Sequence, residues 1–194
     1  MKRQSTLLAI LAGAGVLYLW SRTQAGQAAL QSAYATAGEY VRTLTDAGRA
    51  LIERHEGLSL TPYQDQGGRW TIGYGHLIKQ GDPYYPVGPI REIDQAEASA
   101  LLDQDTQIAQ DAVNSYVTVP LNENEFNALV SFVYNIGASA FKASTLLAKL
   151  NAGDKEGAAA EFAKWNKIHT AGGEVVASTG LSARRADEAE VFLA

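Results

Sequence analysis

The stretch from His55 to Leu77, HEGLSLTPYQDQGGRWTIGYGHL, decides how this chain folds. Its first residues finish a helix: Thr45 or Asp46 can cap it, Leu51, Ile52 and His55 lie along one side, and Gly57 stops it after Glu56. Beyond Gly57 the pattern changes. Aromatic and β-branched residues with paired glycines predict a small antiparallel sheet turning at Gly67-Gly68.

Downstream the chain reads as helical. After a proline-rich loop, GDPYYPVGP (Gly81–Pro89), Asp94 and Glu97 form a capping-box pattern. It opens a helix to about Tyr116, with Leu102, Ala109, Val113 and Tyr116 facing inward. Asn122 and Glu125 repeat the signature before EFNALVSFVYNIG, a helix apolar around most of its circumference and therefore expected at the centre; Gly137 ends it. Further helices are expected over about Ala140–Ala152 and Asp154–Ile168, separated by Gly153. HTAGGEVVASTG reads as a loop or short hairpin, and Ser182 as the cap of a last helix to Phe192. One helix, a small sheet and then a run of helices imply an α+β protein, mainly α, with a cleft between sheet and helical lobe.

The same stretch carries chemistry. Glu56 stands at a helix C-terminus, where the negative end of the macrodipole disfavours a second negative charge, and apolar neighbours act in the same direction. A carboxyl group that keeps its proton near neutral pH is what a general acid requires. Asp65, nine residues on, enters a glycine-rich strand in a wetter setting that keeps it ionised. Thr71, six residues further, offers a hydroxyl able to orient a water. Singly, a Glu before Gly is a solvated helix end, an Asp near Gly-Gly a turn residue and a strand Thr unremarkable. Together, across a cleft, they are the equipment for hydrolysing a glycosidic bond.

The whole string is more specific than its parts. Glu-x8-Asp-x5-Thr followed by Ile-Gly-Tyr-Gly-His resembles the phage-type lysozymes of glycoside hydrolase family 24. The resemblance continues through FNALVSFVYNIGASAF (Phe126–Phe141), STLLAKLNAGD (Ser144–Asp154), AAAEFAKWNK and GLSARRADEAEVF (Gly180–Phe192), so that it covers about residues 45–194. It implies a lysozyme-like fold and an endolysin acting on peptidoglycan. The bond cleaved would be the β-1,4 link between N-acetylmuramic acid and N-acetylglucosamine. Inversion is implied, the outcome when two carboxyls stand roughly 6.5–9.5 Å apart. Glu56 becomes the proton donor, Asp65 the base that positions water and Thr71 its helper. His76 matches a histidine paired with an aspartate, for which Asp105 is the candidate, and the pair is read as stabilising. Leu77 and Tyr134 match positions lining the sugar cleft, Ser144 a sugar contact. Arg184 or Arg185 is placed to reach Glu56 and oppose the helix end. No cofactor is implied.

Composition bounds the rest. With 194 residues the chain is long enough to bury about 70% of its unfolded surface. A 46% apolar, 19% charged composition excludes a disordered chain and a polytopic membrane protein. No cysteine is present, so disulfides, thiolate zinc sites and cysteine nucleophiles are excluded. His55, His76 and His169 lack the spacing of a ligand set, and no metal is expected. A net charge of −5 argues against a nucleic-acid partner.

The charge is uneven. Residues 1–44 carry Lys2, Arg3, Arg22 and Arg42 against Glu39, a balance of +3, which leaves −8 for the remainder. Between Ser5 and Ser21 no residue is charged, and LLAILAGAGVLYLW (Leu7–Trp20) forms the apolar heart. Fourteen helical residues span about 21 Å against a hydrocarbon core of roughly 30 Å. Extension to Gln4 and Ser21, with Arg3 and Arg22 snorkelling, makes a thin span, and the Gly/Ala content makes it weakly held. We read residues 1–21 as an uncleaved signal-anchor, cytoplasmic at its N-terminus and inserted in the inner membrane through residues 5–21. Cleavage near Gly26 and Ala28, or a buried core helix, are the competing readings. Residues 22–44, rich in Ala, Gln, Ser and Thr, read as a helical linker before a catalytic domain at 45–194. This resembles signal-anchor-release endolysins, exported in a tethered form and released to the periplasm. Without cysteine, control of activity falls to geometry. The protein is expected to be monomeric. Two rivals share these features: a muramidase carried in the virion, and a non-catalytic lysozyme-shaped binding module, which the intact Glu56, Asp65 and Thr71 disfavour. A chitinase-like preference is a variant of the same chemistry.

Overall fold

A computed structural model describes residues 41–65, 68–87, 92–169 and 173–194. Leu44–Ala194 form one compact unit. The apolar run at 5–21 and nearly all of the linker lie outside the described residues. Among the described residues no helix is long and apolar enough to cross a membrane.

Helix α1 (Asp46–Glu56) begins at Thr45, whose hydroxyl accepts the Gly48 N–H, and it stops at Gly57 with φ +72°. A side chain at that φ would be strained, so the glycine lets the chain turn from helix into sheet. Strands β1 (Ser59–Gln64), β2 (Trp70–Gly73) and β3 (His76–Leu77) form an antiparallel sheet in that order. Tyr63 faces Thr71, Thr71 faces Leu77 and Ile72 faces His76, with a bulge in β1 between Ser59 and Tyr63. The buried face of β2 is covered by α2 (Gln95–Asp105). Gly73, at φ +66°, allows this contact, because a Cβ there would already touch the Ala98 Cβ at 3.4 Å.

Helix α3 (Gln107–Tyr116) leads to α4 (Glu123–Ile136), which is buried over most of its length. Both expected capping boxes form, Asp94 with Glu97 and Asn122 with Glu125. Helix α4 packs against α1, α3, α5 (Ala138–Lys142) and α8 (Thr179–Leu193), so it is the axis of the lobe. Its Phe132 meets Phe162 of α7 (Lys155–Phe162) edge-on at 4.9 Å, Trp165 at 5.6 Å and Phe141 at 6.5 Å. Polar side chains tie the entry of the unit to this axis. Asn127 accepts the Thr45 N–H at 3.2 Å and donates to the Thr45 hydroxyl at 2.8 Å, and Gln110 accepts the Leu44 N–H at 2.8 Å.

Four expectations are corrected. The helix expected from Asp94 to Tyr116 is broken at Thr106, whose hydroxyl donates to the Asp103 carbonyl at 3.1 Å and competes for the oxygen that the next turn needs. Ala140–Ala152 is two short helices, α5 and α6 (Thr145–Asn151), because Ser144 caps a new start by accepting the Leu147 N–H. The helix expected to Ile168 ends at Phe162, and Lys167–His169 instead forms β4, paired with β5 (Val175–Ala177) as a hairpin. The last helix is capped by Ser178, not Ser182; Ser182 lies inside it, its hydroxyl donating to the Ser178 carbonyl at 2.8 Å.

Phe132→Ala removes the ring at the centre of the aromatic group and is expected to cost about 3–5 kcal/mol. In urea unfolding this will appear as a lowered midpoint at unchanged slope.

Candidate active site

Helix α1 delivers Glu56 at its last position, and there its half-buried carboxylate meets the Arg184 guanidinium of α8 through Nη1. Arg184 is 4% exposed and fully engaged: Nη2 donates to the Ser131 carbonyl at 3.2 Å, and Nε to Glu188 at 3.1 Å. The acid at the helix end therefore does not face the negative dipole end alone. A positive charge from another part of the chain touches it. Of the two arginines that sequence offered, Arg184 makes the contact; Arg185 turns inward to Glu188 and over the Phe132 ring.

Asp65 follows β1 and is clamped by Arg69. The Arg69 backbone N–H donates to Oδ1 at 2.9 Å, Nε donates to Oδ2 at 2.9 Å, and Nη2 stands 2.7 Å from Oδ2. Arg69 is largely exposed, so the pair orients Asp65 more than it stabilises the fold. Thr71, buried on β2, donates its hydroxyl to the Arg69 carbonyl at 3.1 Å. Its oxygen lone pairs stay available to accept from a water. The Arg69 backbone thus joins Asp65 to Thr71. Sequence reasoning passed over Arg69; its position four residues after an aspartate, across a glycine turn, was the available signal.

Tyr134 projects from α4 within electrostatic reach of Glu56, Asp105, Arg184 and Tyr63. Burial, with the charges of Glu56 and Asp105, pushes its phenol far above the usual range, so it stays a hydrogen-bond donor. Leu77 is half-buried on β3 opposite Thr71. Ser144 is buried and its hydroxyl is occupied as the α6 cap.

His76 sits between two carboxylates. Nδ1 is 2.9 Å from Asp105 at the end of α2, and Nε2 is 2.6 Å from Asp82 in the proline-rich loop. Asp105 was expected; Asp82 was not. The Tyr84 ring lies edge-on to the imidazole at 6.4 Å. The Asp105 bond, against burial and with help from Asp82, raises the His76 pKa. His55 moves the other way, lowered by burial and by Arg184, although Asp187 stands 3.1 Å from its Nε2. Among the described residues no cluster of three His, Cys, Asp or Glu is arranged to hold a metal ion.

Residues 53–188 match the family described as Phage lysozyme. The chain belongs to the phage lysozyme family. It is 42% identical over 149 residues to an endolysin of Acyrthosiphon pisum secondary endosymbiont phage 1, covering 77% of this chain and 97% of the relative. It is 39% identical to a SAR-endolysin of Enterobacteria phage PA-2, covering 71% and 77%. Among solved structures, an endolysin from Escherichia coli O157:H7 phage FAHEc1 superposes with a TM-score of 0.69 at 39% identity, covering 78% of this chain and 94% of that one. The α+β, lysozyme-like reading holds, and the chain is a peptidoglycan-hydrolysing muramidase of the endolysin kind.

A raised histidine pKa adds stability that is fully present below the unfolded value of about 6.5 and is lost as pH climbs through the higher folded value. Thermal midpoints measured from about pH 6 to about pH 9 are expected to fall for this reason. In an Asp82→Asn, Asp105→Asn double variant that component of the fall should vanish.

Proposed function

We propose that this endolysin cleaves the β-1,4 bond between N-acetylmuramic acid and N-acetylglucosamine with Glu56 as general acid and Asp65 as the base. Glu56 gives its proton to the departing glycosidic oxygen. Asp65, held by Arg69, takes a proton from the water that attacks the anomeric carbon from the opposite face, and Thr71 accepts a hydrogen bond from that water. The sugar product leaves with inverted configuration. Leu77 and Tyr134 line the sugar cleft, the phenol donating to a substrate oxygen, while His76 and Asp105 hold the sheet to α2. The observation that carries this reading is the placement of Glu56 at the end of α1 against Arg184, with Asp65 and Thr71 joined through Arg69 on the sheet side.

The N-terminus supports a route to the substrate. Lys2 and Arg3 precede the uncharged run Ser5–Ser21, and a SAR-endolysin is among the relatives. We infer export across the inner membrane of the host with the N-terminus cytoplasmic, tethering through residues 5–21 as a monomer, and release to the periplasm. Residues 1–21 would act as signal-anchor and 22–44 as linker to the catalytic unit. With no cysteine in the chain, activation follows from departure of the segment itself rather than from a thiol exchange.

Glu56→Gln and Asp65→Asn should each lower the rate of clearing purified cell walls by about 10²–10⁴ without lowering the thermal midpoint by more than a few degrees. Near-wild-type clearing by either variant would overturn the assignment. Fractionation of expressing cells should find the full-length chain first in the membrane and later in the soluble periplasm. A soluble enzyme beginning after residue 25 would show cleavage instead.

A further inference from the structure

Between Glu56 and the aromatic core lies a charged group that the hydrolysis as written does not use. Glu188 of α8 is wholly buried, with Arg185 1% and Arg184 4% exposed. One carboxylate oxygen of Glu188 accepts three donors: the Ser131 hydroxyl at 2.7 Å, Arg184 Nε at 3.1 Å and Arg185 Nη2 at 3.0 Å. Its second oxygen stands 2.9 Å from Arg185 Nε. We propose that Glu188 is a positioning residue for the general acid, holding Arg184 against Glu56 and, through it, shaping how catalysis depends on pH.

The argument is one of geometry and charge count. Arg184 is fixed at Nε by Glu188 and at Nη2 by the Ser131 carbonyl, so the remaining edge of its fork is presented to Glu56. Two guanidiniums here face two carboxylates. Without the Glu188 charge, the positive charge of both arginines would bear on Glu56 with no counter-charge behind them, which favours the ionised form over the proton-donating one. A fully buried carboxylate that only neutralised its arginines would, on removal, destabilise the fold by leaving a guanidinium unmatched, and would leave the pH profile of catalysis alone. One that fixes the partner of the acid could not be exchanged without changing catalysis. Among the described residues, other charged and titratable groups face the acid and its arginine from three helices and the sheet. From α1, His55 and Arg54 both contact Asp187 of α8; from α4 comes the Tyr134 phenol, with Asp105 of α2 and Tyr63 of β1 beyond it. None of these touches Arg184 Nε.

The proposal rests on Glu56 as the acid, and its test separates the two. The pH dependence of kcat/KM on soluble peptidoglycan fragments is measured for the wild type, Glu188→Gln, Glu188→Asp and Ser131→Ala, with melting curves for each. Glu188→Gln should shift the alkaline limb down by about one pH unit, roughly a tenfold loss above it, carried by kcat rather than KM. Glu188→Asp should restore most of the shift, and Ser131→Ala should give a smaller one in the same direction. A lowered melting temperature with the alkaline limb unmoved in Glu188→Gln would overturn the proposal. If that variant does not fold, an unmoved limb in Ser131→Ala does so. Activity retained by Glu56→Gln would instead remove the acid assignment, and this proposal with it.

Discussion

The buried contact between Arg184 and the two carboxylates on either side of it is the constraint on which the rest of the molecule depends. It joins three helices at one point: α1 through Glu56, α4 through Ser131 and α8 through Arg184 itself. Charges taken out of water must be matched closely, because each unmatched one costs several kcal/mol. Helix α8 therefore cannot slide along α4, nor α1 rotate, without parting the buried Arg184 from Glu56 or Ser131. Glu56 gains its fixed position from the same contacts that lock the helices.

The sheet side is held differently. There Asp65 is oriented by an exposed arginine and by backbone hydrogen bonds within its own turn. What anchors the sheet is His76, whose two ring nitrogens reach Asp105 on α2 and Asp82 in the following loop. The loop, the sheet and the helical lobe thus share one imidazole. The two carboxylates are equally exposed, and what sets them apart is the partner: a buried guanidinium for Glu56 and a largely exposed one for Asp65.

Much of this was legible in the chain. Capping boxes at Asp94 and Asn122 marked two helix starts, because a short polar side chain with Glu three residues on satisfies the first free N–H groups locally. The apolar circumference of Phe126–Ile136 marked the central helix. Errors fell where a hydroxyl acts on the backbone in a way that spacing does not reveal. Thr106, Ser144 and Ser178 each redirect a helix by one hydrogen bond, and whether a hydroxyl caps, competes or points to solvent depends on its rotamer. Trp165 lay within an expected helix, but that helix ends at Phe162 and Trp165 packs against Phe132.

By itself the sequence singled out the candidate residues: the spacing of Glu56, Asp65 and Thr71 around a helix stop and a glycine turn is local, and local geometry follows from local residues. It also determined the family, since the motif and the helices after it occur in order along one chain. Only the tertiary structure decided what surrounds those residues. That Arg184 rather than Arg185 meets Glu56, that Ser131 reaches Glu188 and that Asp82 shares His76 with Asp105 are contacts between residues 6 to 128 apart in the chain. Such contacts are set by how helices pack and loops return, and neighbouring arginines on one helix differ in role because a rotation of about 100° per residue turns one toward the acid and the next toward the core.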